Sequence, residues 1–257
     1  EYRLDKNTAI VVCDIAGFVA STYMRGIPFG FVSTTLLSQV DASVGGKNGV
    51  NFEGYKNMVG LFNQPEFVIC DPDLLKTLPE KELLNGCAEI IKHAAIADRK
   101  YFDYLEENYR AILGMDNNVI EKVVYDSVII KSGIVNRDER EMGERRKLNF
   151  GHTLGHALEK VTGITHGEAV SIGMAASARV SEKLGLLKRK DRIRIEALLK
   201  NLGLPTSIQG DKSKIIEALG KDKKREKDKI HFVLLNGIGN AVVEVIDIRE
   251  MQSLIPV

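Results

Sequence analysis

The sequence predicts two domains, an α/β domain followed by a mainly α-helical domain. Glycine and β-branched residues are frequent in the first third of the chain, where short apolar runs are bounded by Gly, Pro or Asp, as in buried strands. From about Pro79 onward, apolar residues recur at three- and four-residue spacing, which is typical of amphipathic helices. We therefore predict an α/β domain over residues 1–78 and a helical domain over residues 79–257.

Three short apolar runs in the first domain predict buried strands at residues 9–13, 29–32 and 67–70. Residues 34–40 begin with hydroxyl side chains and continue with leucine and valine, a pattern that predicts a capped helix start. The N-terminus of such a helix is a place where a phosphate group is able to bind.

The second domain is predicted as a series of amphipathic helices followed by a hairpin. The predicted helices span residues 83–96, 101–113, 119–134, 148–161, 168–184, 191–202 and 212–219. Apolar runs at residues 230–235 and 241–246 flank the sequence Asn-Gly-Ile-Gly-Asn, which predicts a β-hairpin.

The charge of the chain is balanced, since 36 Lys and Arg residues stand against 35 Asp and Glu residues and leave a net charge of +1. With 44% hydrophobic residues, the 257-residue chain has enough apolar side chains for a folded core. A balanced charge provides no general field that attracts nucleic acid or an anionic membrane. We therefore expect neither as a partner, and a ligand has to be recognised at a local site.

The three cysteines, Cys13, Cys70 and Cys87, are far apart in sequence and form no C-x-x-C pair of the kind that binds zinc or forms a redox disulfide. They are predicted to be buried thiols. No apolar stretch approaches the ~20 residues of a membrane span, and the first residues lack the layout of a signal peptide. These features predict a cytoplasmic protein.

Three of the five histidines lie between positions 152 and 166. His152 and His156 are four residues apart, so both imidazoles face the same side of a helix and are able to bind one ion. His166 opens the next predicted helix, and a short turn is able to bring it back to this pair. On spacing alone, a surface or core role for the histidines is an open alternative to a metal site.

Glu89 is a carboxylate inside an otherwise apolar helical stretch, where an unpaired charge is costly. It therefore needs a cationic partner, which is either a metal ion or Lys92, three positions along the same helix face. His93, four positions along, is a competing metal ligand. Spacing does not choose among these arrangements.

A glycine turn, Gly45-Gly46-Lys47, lies within residues 39–50. Glycines let the backbone approach a ligand closely, and the lysine meets negative charge, so the turn is a candidate anion cradle. It lacks the spacing of a Walker motif, and a plain glycine loop is the alternative. Further cations, each typical of solvated charge when taken alone, are Arg25, Lys131, Arg145, Arg146 and Lys224.

Motifs along most of the chain carry a resemblance to a known family. They include DIAGF at 14–18, DASVGGKNG at 41–49, LNFGHTLGHA at 148–157 and HGEAVSIGM at 166–174. In these motifs the chain resembles the 3-dehydroquinate synthases, the NAD-dependent sugar-phosphate cyclases of the shikimate pathway. The resemblance implies a Rossmann-like nucleotide-binding domain ahead of a helical metal-binding domain.

The resemblance also implies the cofactors and their ligands. A catalytic zinc ion, with cobalt as an alternative metal, is expected to be held by Glu89, His152 and His166, which leaves His156 as a pocket residue. The positions that match the family's NAD-binding residues are Asp14, Thr34, Thr35, Asp41, Lys47, Lys56 and Thr77.

The resemblance implies a homodimer in which Arg25 reaches the substrate of the neighbouring subunit. It also implies substrate contacts from Asn57 and from Lys224, although the sequence does not distinguish Lys224 from Lys223 in this role. The implied catalytic residues are Lys47, Lys92, Lys131, Arg145, Asn149 and His156. Such cations suit 3-deoxy-D-arabino-heptulosonate 7-phosphate, because this substrate carries both a carboxylate and a phosphate.

The implied activity is a phosphate-eliminating, carbon–oxygen lyase reaction that yields 3-dehydroquinate through transient oxidation by NAD, phosphate elimination, re-reduction and aldol closure. Three alternatives are a sister cyclase that makes an inosose or a valiolone, a metal-dependent polyol dehydrogenase, and a metal-binding module without activity. Lys131, Arg145 and Asn149 favour a carboxylate-bearing substrate over those of the sister cyclases.

The chain departs from the family pattern near its beginning. Family members carry further residues upstream and a glycine triplet before a Val-Val-x-Asp motif, whereas this chain runs from Ile10 directly into Val11. We interpret these two residues as the edges of a skipped glycine loop, so that the nucleotide-binding domain is incomplete in the sequence given. A genuine loss of the dinucleotide loop is the alternative.

Overall fold

The computed structural model describes residues 13–53, 55–207 and 229–247, and the side chains of Tyr55 and Lys56 are outside that description. The predicted helix at residues 212–219, most of the predicted strand at residues 9–13, and Lys224 also lie outside the described residues.

A short parallel strand pair forms the sheet of the α/β region. Strand β1 (Phe31–Ser33) pairs in parallel with β4 (Val68–Cys70), with Phe31 opposite Val68. The predicted strands at residues 29–32 and 67–70 are therefore confirmed to within two residues. Cys70 is half-buried, unlike the buried thiols of Cys13 and Cys87.

Cys13, predicted to end a strand, instead begins helix α1 (Cys13–Thr22). Its side chain packs in a small cluster with Ala20, Phe29 and Phe31. A short apolar run has the same appearance in a buried helix and in a buried strand, which explains why the strand prediction is wrong for this residue.

An antiparallel hairpin follows the glycine turn. Gly45 and Gly46 have φ values of +114° and +65°, which glycine adopts without a steric penalty. They turn the chain into β2 (Lys47–Phe52), which pairs with β3 (Tyr55–Phe62). Before this turn, residues 36–42 are helical and end in a π-helix, Ser38–Ala42, so the helix start predicted at residues 34–40 is confirmed.

The second part of the described chain is helical, as predicted, and ends in the predicted hairpin. The helices are α2 (Glu80–Ala97), α3 (Arg99–Leu113), α4 (Asn117–Arg137), α5 (His152–Thr162), α6 (His166–Lys183) and α7 (Arg189–Asn201). Strands β5 (Lys229–Leu235) and β6 (Ala241–Asp247) pair in antiparallel fashion. No helix in the described ranges combines the length and apolar character that a bilayer crossing requires.

The helix predicted over residues 148–161 is interrupted, and this prediction is wrong in its first part. A 3-10 turn, Glu144–Asn149, ends before Gly151, which has a φ of +80°, and α5 begins at His152. A Cβ atom on Gly173 of α6 would lie 1.9 Å from the carbonyl oxygen of Gly151, so the two backbones are in direct contact here. This contact fixes the start of α5 against α6.

Helix α2 lies in the main apolar core, where its residues from Cys87 to Ile96 are all buried. Helix α6 packs against α2 through Val170, Met174 and Ala178, which belong to the same core. Three polar residues of α2, Glu89, Lys92 and His93, are buried within this apolar surrounding. Burial of charge requires nearby compensation, which directs attention to the groups around Glu89.

Candidate active site

A cavity of about 500 Å³ lies between the β2–β3 hairpin, the start of α1 and the helical region. The predicted site residues that line it are Asp14, Asp41, Lys47, Asn57, Lys92, Lys131, Arg145, Asn149, His152, His156 and His166. Most of the residues predicted from scattered motifs are thus brought to one cavity by the fold.

Glu89 lies beneath this cavity and faces two histidines. Its carboxylate oxygen Oε1 is 3.5 Å from Nε2 of His152 and 3.2 Å from Nε2 of His166. One donor atom from each of the three residues lies within 4.8 Å of the other two. The three residues come from the middle of α2 and from the first positions of α5 and α6, so three helices meet at this point.

The second ring nitrogen of each histidine also has a neighbour. Nδ1 of His152 lies 3.2 Å from the carbonyl oxygen of Phe150, and Nδ1 of His166 lies 3.5 Å from Oε1 of Glu159. When Nδ1 carries the hydrogen in both rings, the lone pairs of both Nε2 atoms face Glu89. A carboxylate or carbonyl behind the far nitrogen is typical of metal-bound histidines. One carboxylate and two imidazoles are a donor set that suits a divalent zinc ion, so these residues fit the implied metal.

His156 lies beside this group and not within it. Its ring is 5.4 Å from that of His152, edge to face, and its side chain is exposed at the cavity. The spacing of residues 152 and 156 left open whether this pair shares an ion. The geometry instead groups His152 with His166 and Glu89.

Opposing charges around Glu89 shift the pKa of each neighbour. Burial acts to raise the pKa of Glu89, but the ammonium group of Lys92, its ion-pair partner, together with His152 and His166, outweighs burial and holds that pKa well below its usual range. Burial and the same ammonium group lower the pKa of His152 to about 3. Burial also acts to lower the pKa of His166, but hydrogen bonds to Glu159 and Glu89 raise it to about 10. The surroundings therefore favour the neutral form of His152 and the protonated form of His166.

A second group of potential metal ligands lies next to the first. Asp41, Glu89 and His93 also have donor atoms within 4.8 Å of one another, and Nε2 of His93 is 3.5 Å from Oδ1 of Asp41. However, Nζ of Lys131 is 2.7 Å and Nζ of Lys92 is 3.5 Å from the same Oδ1. Two ammonium groups therefore already compensate the charge of Asp41, which disfavours a metal ion at this second position.

Glu141 is a cavity residue that sequence reasoning missed. Its carboxylate pairs with the ammonium group of Lys47 and accepts a hydrogen bond from the side-chain amide of Asn149. Glu141 stands in a stretch rich in acids and bases, and no spacing distinguishes it from its neighbours Glu139 and Glu144. The contacts with the distant Lys47 and with Asn149 mark it as part of the site.

Arg145 reaches the glycine turn from the helical side. It is 3% exposed, and its Nη2 donates to the carbonyl oxygen of Gly45 at 3.0 Å while Nη1 donates to that of Glu139. Burial lowers the pKa of this guanidinium, although it stays charged in any protein. Together with the pairs of Lys47, Lys92 and Lys131, these contacts give each of these four cavity cations an acceptor within the chain.

Several predicted residues do not line the cavity in the described part of the chain. Thr34 and Thr77 are exposed, and Thr35 caps the following helical run, since its hydroxyl accepts from the backbone N–H of Ser38 at 3.1 Å. Arg25 is exposed, with a φ of +66°. The side chains of Lys56 and Lys224 lie outside the described residues. Roles for these residues remain predictions.

Two family models match consecutive parts of the chain. The N-terminal domain of 3-dehydroquinate synthase matches residues 9–85, and the C-terminal domain matches residues 86–225. The chain belongs to the 3-dehydroquinate synthase family.

Curated relatives support this membership. The chain is 48% identical over 248 residues to the 3-dehydroquinate synthase of Dehalococcoides mccartyi, which covers 93% of this chain and 69% of that protein. It is 46% identical over 249 residues to that of Alkaliphilus metalliredigens, covering 95% of this chain and 70% of that protein. The relatives therefore have additional sequence beyond the part that this chain matches.

Solved structures of sugar-phosphate cyclases share the fold. A 2-epi-5-epi-valiolone synthase of Streptomyces hygroscopicus, with NAD+ and Zn²⁺ bound, is 31% identical with a TM-score of 0.85, covering 94% of this chain and 69% of that one. A 2-deoxy-scyllo-inosose synthase in complex with carbaglucose-6-phosphate, NAD+ and Co²⁺ is 26% identical with a TM-score of 0.87, covering 98% and 74%. The predicted fold, a Rossmann-like α/β domain followed by a helical domain, is confirmed by these neighbours.

Proposed function

We propose that this protein converts 3-deoxy-D-arabino-heptulosonate 7-phosphate to 3-dehydroquinate and phosphate. The observation that carries the proposal is the composition of the cavity. Two members of a candidate metal-binding trio, His152 and His166, line the same cavity as Lys47, Lys92, Lys131 and Arg145, and the third member, Glu89, is buried against them. A substrate with a carboxylate and a phosphate needs such cations, whereas a simple polyol does not.

We propose Zn²⁺ or Co²⁺ and NAD as the cofactors, since the two similar cyclase structures contain them. Glu89, His152 and His166 would hold the metal ion, and Asp14, Asp41 and Lys47, which line the cavity, are the candidate NAD contacts. When bound, the ion supplies polarisation of a substrate hydroxyl, and NAD supplies reversible hydride acceptance.

The residues of the chain contribute binding and charge stabilisation. The anionic groups of the substrate replace acceptors that the chain itself provides, such as the Glu141 carboxylate at Lys47 and the Gly45 carbonyl at Arg145. The planar guanidinium of Arg145 is suited to a bidentate contact with the carboxylate. Lys47, Lys92 and Lys131 stabilise the charge that develops on phosphate as it leaves. His156 is exposed at the cavity, and a nitrogen of its ring is the candidate for accepting or donating a proton during the reaction.

The catalytic class, a phosphate-eliminating carbon–oxygen lyase, is part of this proposal. The homodimer, the contribution of Arg25 from a neighbouring subunit and the cytoplasmic location stay predictions. The domain boundary at residues 78 and 79 also stays a prediction.

A related cyclase activity is the second candidate, because the structural neighbours make 2-epi-5-epi-valiolone and 2-deoxy-scyllo-inosose. The deciding measurement is phosphate release with NAD and zinc present, before and after chelation. Turnover of the heptulosonate phosphate and none of sedoheptulose 7-phosphate is expected. Faster turnover of the sugar that lacks the carboxylate would assign the chain to the sister cyclases.

The metal ligands are tested by a matched pair of histidine variants on one helix. His152→Ala is expected to remove stoichiometric zinc and activity together, because it deletes one of three donor atoms. His156→Ala is expected to retain zinc and lose turnover. Full zinc content in the His152→Ala protein would show that the ligand assignment is wrong.

A further inference from the structure

The N-terminus of α6 contacts α2 at two points that lie one helical turn apart. At the first, His166 faces Glu89. At the second, the backbone N–H of Gly167 donates to Oδ1 of Asn85 at 2.8 Å. Asn85 is four residues before Glu89, so both side chains are on the same face of α2. Asn85 is 6% exposed, so this hydrogen bond is made away from solvent.

We infer that Asn85 is a positioning residue that sets the distance between Glu89 and His166 and thereby the affinity for metal. The inference rests on the metal site of the proposed function. No role in substrate contact is involved, since Asn85 is not among the described residues that line the cavity.

The amide of Asn85 is held in one orientation by a second hydrogen bond. Its Nδ2 donates to Oε2 of Glu82, one turn earlier on α2, at 3.0 Å. This contact leaves Oδ1 directed at α6. A fixed acceptor on a helix in the core is a rigid reference point, because α2 is buried along most of its length.

The start of α6 depends on this acceptor. The first N–H groups of a helix have no partner within the helix. Thr165 accepts from the backbone N–H of Glu168, and Glu168 accepts from that of Thr165, which completes a capping box. Gly167 bonds instead to Asn85, on another helix. A shift of α6 along α2 would therefore break this bond and separate His166 from Glu89 in one movement.

The close approach of the two helices makes such a shift sensitive to small changes. A Cβ atom on Gly167 would lie 2.6 Å from Cα of Asn85 and 3.1 Å from the carbonyl oxygen of Leu84. The backbone of α6 is thus in contact with the backbone of α2 at this point, and no side chain separates them. The Asn85 hydrogen bond defines the register of that contact.

The test is the zinc affinity of the full chain, measured by competition with a chromophoric chelator. Asn85→Ala leaves a buried N–H without an acceptor and is expected to weaken zinc binding by about 10- to 100-fold, the range for residues that orient metal ligands. The absorption bands of bound Co²⁺, which report ligand geometry, are expected to change as well. Thermal unfolding of the metal-free protein measures the loss of stability separately.

A matched control on α6 removes a similar hydrogen bond far from the site. The hydroxyl of Ser181 accepts from the backbone N–H of Leu235 at 3.0 Å, and both residues are buried. Ser181→Ala therefore also leaves a buried N–H, that of Leu235, without an acceptor. This variant is expected to lower the unfolding temperature without changing zinc affinity. Equal losses of zinc affinity in both variants would mean that general destabilisation explains the effect.

A rescue variant keeps the inference testable if Asn85→Ala does not fold. The double variant E82Q/N85D exchanges donor and acceptor between positions 82 and 85. The carboxylate introduced at position 85 accepts from the backbone N–H of Gly167, and the amide introduced at position 82 donates to that carboxylate. The double variant keeps the total charge of the two positions and is expected to bind zinc at least as tightly as the native chain. Tenfold weaker binding by this folded variant, or native affinity in Asn85→Ala, would overturn the inference. If the native chain itself fails to bind zinc, or binds it equally after His152→Ala, the proposed metal site fails, which is a separate result.

Discussion

The carboxylate of Glu141 forms an ion pair with the ammonium group of Lys47, joining the loop after α4 to the first residue of β2. The lysine side chain is half exposed, and the glutamate is mostly buried. Glu141 also has a φ of +59°, an unfavourable backbone conformation for a residue other than glycine. The pair therefore places a negative charge where the proposed substrate brings one of its own.

Glu141→Gln is expected to increase the affinity of the cavity for inorganic phosphate. The substitution retains an acceptor for Asn149 but removes the charge that competes with phosphate for Lys47. The inhibition constant is expected to fall by a factor of about two to five, equivalent to about 0.4–1 kcal/mol for a partly exposed pair. Glu139→Gln is the control, since Glu139 accepts from Gln64 at 3.0 Å and does not line the described cavity. Weaker phosphate inhibition in Glu141→Gln would contradict the competition.

Glu159→Gln is expected to weaken zinc binding by about tenfold, because its carboxylate lies 3.5 Å from Nδ1 of His166 and orients that ring. Chelator competition measures the change. Glu182→Gln breaks an ion pair with Arg192 farther along α6 and is expected to leave zinc affinity unchanged. An unaltered affinity in Glu159→Gln would mean that His166 is oriented by other contacts.

Gly173→Ala is expected to destabilise the protein by about 1–3 kcal/mol or more, because the added Cβ would lie 1.9 Å from a backbone oxygen of Gly151. The start of α5 would have to move, so zinc affinity falls in the same variant. Gly133→Ala, inside α4, has only the end of the Arg137 side chain near the new Cβ, at 3.6 Å, and is expected to stabilise by up to about 1 kcal/mol. Denaturant unfolding of both variants checks the opposite signs.

Glu168 is expected to contribute stability that depends on pH. Hydrogen bonds from the backbone N–H and the hydroxyl of Thr165 lower the pKa of Glu168 from its ordinary value of 4.5. A lowered pKa in the folded state means that the stabilisation is complete above the unfolded value and is lost as the pH falls through the folded value. The difference in unfolding temperature between the native chain and Glu168→Gln should therefore shrink between about pH 5 and pH 3. A difference that stays constant over this range would disprove the role of the charge.

Helices α2 to α7 were largely predictable because apolar residues recur along each of them at helical spacing. Helix α1, the β2–β3 hairpin and the break before α5 were not predicted. The β2–β3 hairpin escaped notice because residues such as Phe52, Met58 and Phe62 are exposed, so its strands carry no alternating buried pattern. The break at Gly151 was missed because apolar spacing continues through it, and its cause is contact with Gly173, which is distant in sequence.

The sequence also predicted some residues of the candidate site and not others. Motifs identified the residues that carry distinctive chemistry, such as His152 and His166. The partners Glu141, Glu159 and Asn85 have ordinary residue types in unremarkable positions, and their importance comes from contacts between distant segments. Sequence spacing within one segment does not contain that information.

The left-handed Gly151 separates two neighbouring groups with different tasks. Arg145 and Asn149 precede it on the 3-10 turn, and His152 and His156 follow it on α5. The backbone of α6 lies against Gly151 itself and against Gly155 within the second group. Substitutions in the 3-10 turn are therefore able to adapt the site to a sugar without a carboxylate while His152 keeps its position at the start of α5. Substrate selectivity and metal binding are thus able to change independently within one short segment.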